Sequence, residues 1–348
     1  MISQERGKTV KPCLTVALLS VVVSVLSGSM AAAQEAQVRA SKSSDRVDVV
    51  VDGRLFTSYR FARDQKYPYF WPVNGPASGA SVTTETSMPY PHHHSLFFGC
   101  DRVNGGNYWQ EGNERGQILS SGPDVVVASG PYVLITDRCL WKRPGSEPVF
   151  EDVRCFLIHA PDTNLRMIDV SIRLKALTDV RILRTNHALF AARMVPELSV
   201  NSGGTLVNAA GQKGEKETFG QPSPWCDYSG TRDGVTEGLA ILDAPINPWY
   251  PCPWFTRDYG FFSPTPMNWL ENDGLDIAKG SEIHLMYRVI VHRGDASVAR
   301  IPELHARYAE VFAQQGPKAS WYDAIQKKGA DRLLLKPFLE SARLGAAK

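Results

Sequence analysis

Residues 132–177 read YVLITDRCLWKRPGSEPVFEDVRCFLIHAPDTNLRMIDVSIRLKAL. Tyr132–Trp141 is strand-like, Pro144-Gly145-Ser146 makes a turn, and Val149–His159 is the returning strand. Leu165–Leu177 alternates again, with Met167, Val170 and Ile172 among its apolar members. Centring the hairpin near residue 147 puts Cys139 opposite Cys155. Cross-strand β-carbons stand about 4.5–5.5 Å apart, close to what a disulfide needs. Cys139–Cys155 is therefore the disulfide candidate, the alternative being two buried thiols.

The flanking sequence repeats the pattern. Val47, Val49 and Val51 alternate with polar residues, Asp52-Gly53 is a tight turn, and Leu55–Phe61 returns. Val125–Ala128, Val180–Leu183, Gly238–Asp243 and Ser281–His292 also read as strands. Tyr67–Pro76 is rich in aromatics and proline, which excludes a central strand and leaves a stacking platform or an edge cover. Over Ser297–Gln314, Val298, Ile301, Leu304, Tyr308, Val311 and Phe312 form one helical stripe, and Ala330–Ala346 reads as a second helix. Strands at close spacing followed by terminal helices indicate an all-β fold: an antiparallel β-sandwich with C-terminal α-helices. No internal repeat or charge block marks a linker, so residues 46–292 read as one sandwich domain and 293–348 as a helical extension packed on it.

The N-terminus has the layout of a secretory signal peptide over residues 1–33. Arg6, Lys8 and Lys11 precede the apolar run Leu14–Leu26, and Ala31-Ala32-Ala33 offers the cleavage site. The run is short for a membrane span of about 20 residues, although an uncleaved anchor is the alternative. The expected protein is secreted or periplasmic, with no membrane attachment after cleavage near Ala33. Removing Arg6, Lys8, Lys11 and Glu5 from 38 basic and 36 acidic residues leaves 35 of each. A neutral chain has no general pull on nucleic acid or anionic lipid. Five cysteines remain, Cys100, Cys139, Cys155, Cys226 and Cys252, so at least one thiol is left over in an oxidising compartment.

Three stretches carry chemistry. Pro89–Trp109 (PYPHHHSLFFGCDRVNGGNYW) holds His92, His93 and His94. In Asn186–Arg193 (NHALFAAR), His187 and Arg193 share one face of an extended strand. Pro245–Trp269 (PINPWYPCPWFTRDYGFFSPTPMNW) places Arg257-Asp258-Tyr259 within an aromatic loop that no helix survives. His93 and His187 are candidate general acid or base groups. Arg193 and Arg257 would hold or polarise an oxygen, Asp258 would orient a partner, and Tyr259 would donate a proton or hydrogen bond. His92, His94, Asn104, Trp109, Trp225 and Trp254 are candidate substrate contacts.

Strand alternation would turn His92 and His94 to one face and His93 to the other. His92 and His94 are then the candidate metal pair, with His187 or Asp258 as a third ligand and one open position. No other cofactor is expected. The glycines of Ser202–Gly220 lack the strand and helix context of a nucleotide site. Glu215, Glu217 and Asp258 do not by themselves signal paired-carboxylate glycoside chemistry.

The blocks PHHHSLFFG, VNGGNYW, NHALFAARM, WCDYSG and NPWYPCPWFTRDYGFFSPTP resemble exported bacterial proteins labelled methane oxygenase PmoA-like, or left as a domain of unknown function. The resemblance runs from about Val47 to His292. His94 stands where that family carries a basic residue, and Phe255 where many members carry a histidine. A membrane-embedded methane oxidation role does not suit a chain without a span beyond its signal peptide. A galactose-mutarotase-like supersandwich is one form the expected sandwich takes. Three functions stay open: a carbohydrate-active lyase, hydrolase or epimerase; a metal-dependent oxygenase- or hydrolase-like enzyme; and a non-catalytic sugar-binding module. All three take a small-molecule or glycan ligand.

Overall fold

The computed structural model describes residues 1–4, 7, 36–110, 112–315 and 332–344. The apolar run and cleavage site of the expected signal peptide lie outside the described residues.

Among the described residues two nine-stranded sheets form the body, and every pairing in them is antiparallel. In spatial order the first holds β17 (Trp254–Thr256), β18 (Phe261–Pro264), β13 (Ala188–Arg193), β5 (Leu96–Cys100), β4 (Tyr69–Val73), β3 (Arg54–Arg60), β2 (Arg46–Val51), β1 (Val38–Lys42) and β8 (Ser129–Gly130). The second holds β14 (Thr205–Asn208), β15 (Trp225–Arg232), β16 (Val235–Asp243), β20 (Glu282–Arg293), β11 (Leu165–Ala176), β10 (Phe150–His159), β9 (Tyr132–Lys142) and β6 (Gln117–Ser120), with β7 (Asp124–Val127) also on β9. A separate ribbon pairs β12 (Val180–Leu183) with β19 (Gly274–Ile277). The β2–β3 connection is the expected two-residue turn, with Asp52 at φ 48° and Gly53 at φ 80°, the left-handed pair such a hairpin requires.

Alternation decides which side chains meet between the sheets. Phe98 packs on Trp141, Phe70 on Phe156, and Phe190 stacks on Tyr287 with centroids 4.8 Å apart. The neighbouring positions Phe97, Arg193 and Phe261 therefore turn to the opposite, outer face of the first sheet. On the second sheet's outer face lie α2 (Ile301–Gln315) and α3 (Arg332–Ser341). Leu304, Tyr308, Phe312 and Phe338 pack there against a layer that includes Leu134, Leu157, Met286 and Ile290. Val298 is not part of that stripe, being 70% exposed ahead of α2. Among the described residues no helix is long and apolar enough to cross a membrane.

Two expectations are corrected here. Tyr69–Val73 is an interior strand despite Pro72, because the register jumps from Tyr59↔Phe70 to Thr57↔Val73. Trp71 and Pro72 fall in that bulge, and β5 pairs only with Tyr69 and Phe70, so the missing proline N–H breaks no ladder bond. The Cys139–Cys155 disulfide does not form: Cys139 pairs with Asp152, and Cys155 with Thr136. The real register differs from one centred near residue 147 by an odd number of residues, which flips a side chain to the other face. Cys139 points between the sheets and Cys155 toward the helices, and all five cysteines described are buried free thiols.

Candidate functional site

The outer face of β5, β13 and β18 carries a polar cluster under aromatic cover. Its histidines lie in a turn before β5 and not in a strand: the His93 N–H donates to Tyr90 O, the Ser95 N–H donates to His93 O, and Ser95 has φ 59°. The alternation expected for His92–His94 therefore does not hold. His92 and His93 are ring neighbours with centroids 4.5 Å apart, and His94 turns away to stack on Tyr69 at 5.1 Å. The ring Nδ1 of His94 lies 2.9 Å from Glu85 O, and its ring walls a separate cleft of about 330 Å³ with Asp64, Lys66 and Thr86.

His93 is 4% exposed, with its ring 4.4 Å from Phe261 and 5.4 Å from Tyr90. Its Nδ1 has no hydrogen-bond partner among the described residues. Burial, reinforced by the neighbouring His92 and Arg193, drives its pKa down to about 2. The ring is therefore held neutral in the folded protein, away from the near-neutral titration expected from the sequence.

His187 immediately precedes β13. Pairing of Ala188 with Cys100 carries it to the side of Asp101, the residue that follows β5. Its Nδ1 lies 2.9 Å from Asp101 Oδ2, and Thr185 Oγ1 donates to Asp101 Oδ1. The Thr185 hydroxyl oxygen also accepts the His187 backbone N–H at 3.0 Å. Trp109 stacks on the imidazole at 5.7 Å, and its own buried Nε1–H has no partner among the described residues. This chain fixes the ring and assigns its Nδ1 proton to the carboxylate, leaving Nε2 as the basic nitrogen.

Arg193 ends β13, on the same side as His187, as their spacing implied. It is 2% exposed, its guanidinium lies 4.2 Å over the Tyr259 ring, and Nε and Nη1 have no hydrogen-bond partner among the described residues. Burial lowers its pKa. Burial likewise pushes the Tyr259 hydroxyl up to about 12, Arg193 working in the opposite direction. Tyr90, 38% exposed, covers this group, with its ring 5.0 Å from that of Tyr259.

Of the residues expected to carry catalysis, His93, His187, Arg193 and Tyr259 come together, with His92 and Trp109 beside them. Arg257 and Asp258 clasp the short helix α1 (Gly214–Thr218) instead. Arg257 Nη1 donates to Glu215 Oε1 at 2.9 Å, and Asp258 Oδ1 accepts the Glu215 N–H at 2.7 Å. Three expected contacts are structural. Asn104 closes a turn, donating to Asp179 O and accepting the Arg181 N–H. Trp254 is sealed in the core, donating to Ser223 O. Trp225 sits in the layer beneath α2 and α3, away from the cluster. Among the described residues no three His, Cys, Asp or Glu side chains converge as a metal-ligand set, and of the expected pair His92 lies against His93 and His187 while His94 stacks on Tyr69. Asp101, Thr185, Tyr90 and Phe261 were not singled out in the sequence, since only the β5–β13 register and the folded loop bring them in.

No curated protein matches the chain. Among solved structures, a putative aldose 1-epimerase from Escherichia coli K12 aligns at 12% identity over 74% of this chain and 99% of that one, with a TM-score of 0.30. A galactose 1-epimerase from Lactobacillus acidophilus NCFM aligns at 8% identity over 74% and 98%, with a TM-score of 0.37. The family model that matches covers residues 46–306 and is that of a family of unknown function, DUF6807. This overturns the resemblance to methane oxygenase PmoA-like proteins, for which nothing speaks. The chain belongs to the family of unknown function DUF6807.

Proposed function

We propose that the cluster around His187 binds a small hydroxylated ring molecule of the carbohydrate type and moves a proton on it. The observation that carries this is the Thr185–Asp101–His187 chain, an oriented imidazole beside donors that have no protein partner. Aromatic faces (Trp109, Tyr90, Tyr259, Phe261) interleaved with polar groups suit a sugar ring, which is apolar on its C–H faces and polar at its rim. His187 accepts a ligand proton at Nε2, and Asp101 stabilises the imidazolium that forms. Arg193 fixes a ligand oxygen. Ligand enters past Tyr90, the exposed ring over these groups.

The test is a panel of monosaccharides and their acid derivatives, scored by calorimetry for binding and by NMR in deuterated water for solvent-proton incorporation or anomer exchange. His187→Ala is expected to abolish exchange while the dissociation constant changes by less than about tenfold, since a positioned base acts on the transition state. Equal binding with no exchange in the wild-type protein would favour a non-catalytic sugar-binding module. No binding by any sugar would sink both.

A further inference from the structure

Among the described residues Arg193 is a buried cation without a carboxylate partner. The groups acting on its charge are the phenols Tyr259, Tyr228 and Tyr90, and no carboxylate is among them. Asp101 is engaged with His187 and Thr185, and Asp258 with Glu215. An uncompensated guanidinium with Nε and Nη1 unsatisfied is costly to bury, and the Tyr259 ring face offsets only part of that cost. Two more groups nearby can donate: the Trp109 Nε1–H, and His93 in its Nδ1–H tautomer, both unpartnered among the described residues. His93 and Arg193 are close enough for their charges to interact, and the His93 ring is 6.4 Å from that of Trp109. Among the described residues the cluster is thus rich in donors, and its one named carboxylate, Asp101, is already engaged.

Resting on the cluster's being the ligand site, we propose that the ligand carries a carboxylate, as a uronate does, and seats it on Arg193. A planar carboxylate matches the guanidinium fork, which a neutral hydroxyl does not. A phosphate monoester carries nearly two negative charges. Its second charge would meet no unengaged cation among the described residues, because Arg257 is paired with Glu215 and the His187 ring with Asp101. The carboxylate replaces the missing acid, so protein and ligand complete one ion pair under Tyr90.

The experiment is calorimetric titration of the full chain with glucuronate, galacturonate, glucose, galactose, glucose 6-phosphate and succinate. Uronates are expected to bind roughly 10–100-fold tighter than their neutral parents, the range a charge-assisted hydrogen-bond pair supplies. Arg193→Met is expected to erase that difference. It should leave the melting temperature of the ligand-free protein unchanged or higher, because it removes an unpaired buried charge and keeps the packing on Tyr259. Arg193→Lys, which keeps the charge and loses the fork, is expected to retain part of the preference. Equal affinity for glucose and glucuronate overturns the carboxylate and leaves the sugar reading standing. Arg193-dependent binding of succinate with no binding of any sugar supports the carboxylate and overturns the sugar. A preference for glucose 6-phosphate, or a clear loss of ligand-free stability in Arg193→Met with the uronate preference intact, overturns the assignment to Arg193.

Discussion

His187 Nδ1 sits 2.9 Å from Asp101 Oδ2, and the other oxygen of that carboxylate is held by Thr185. Asp101→Asn keeps the shape and removes the charge that fixes the Nδ1–H tautomer. Turnover is expected to fall by about 10²-fold or more with little change in KM, since a positioned base contributes roughly 10²–10⁴-fold. Nitrogen-15 NMR of His187 gives a readout independent of any substrate. It should report the Nδ1–H tautomer in the wild-type protein and a mixture in the variant; an unchanged tautomer would remove Asp101 from this role.

His93 makes part of the stability pH-dependent. In the folded protein burial holds its pKa near 2, and in the unfolded chain the ring titrates near the ordinary 6.5. Between those values the unfolded chain binds a proton that the folded chain refuses. The contribution is therefore fully present above about pH 6.5 and drains as pH falls, by up to ~1.4 kcal/mol per pH unit. His93→Phe, a ring swap in an aromatic pocket, should flatten the wild-type slope of unfolding free energy between pH 6.5 and 4.5. Parallel slopes for the two proteins would show that His93 takes up its proton without unfolding.

The cysteines give a direct chemical test of the β9–β10 register. Burial pushes the Cys139 and Cys155 thiols up, Cys155 to about 12, and neither reaches the other across its sheet. Without reductant, Cys100, Cys139, Cys155, Cys226 and Cys252 should all resist a thiol reagent in the native protein and all react once it is unfolded. A peptide mass two hydrogens short that joins the Cys139 and Cys155 segments would contradict the register.

That register also shows how far a sequence can be read. Alternation made the strands around Tyr132–Ala176 and the hairpin at Asp52-Gly53 legible, because each is a local pattern. The pairing offset of β9 on β10 is not local. The loop residues 143–149 can close the hairpin at more than one offset, and a change of odd parity turned Cys155 from the core to the helix side. The site divides along the same line. His187 and Arg193 were legible as a pair because one strand sets their spacing, whereas Asp101 joins them only through the antiparallel match of Ala188 with Cys100. Arg257 and Asp258 read as catalytic from residue type alone, and in the folded chain they are engaged with the backbone and side chain of Glu215.

Arg288 and Asp169 meet with no exposed surface on either side chain, Nε to Oδ1 at 2.5 Å and Nη2 to Oδ2 at 3.1 Å. The pair lies beneath α3: Arg288 also donates to Phe338 O and Ser341 Oγ, and its guanidinium lies 4.5 Å over the Tyr308 ring. His159 Nε2 is 3.0 Å from the same carboxylate. Burial alone would raise the Asp169 pKa, but Arg288 and His159 outweigh it and hold it below the ordinary value, so the carboxylate stays charged. Asp169→Asn strands the guanidinium and should cost about 3–5 kcal/mol in urea unfolding, the usual penalty for leaving one partner of a buried pair. Hydrogen exchange in Arg332–Ser341 should rise at the same time, because the cation that accommodates the α3 carbonyl and hydroxyl loses its anchor. Pairing Asp169→Asn with Arg288→Met is expected to recover part of the loss, an apolar side chain being cheaper to bury than a lone cation. Additive losses in the double variant would mean that the two groups stabilise the α3 contact independently.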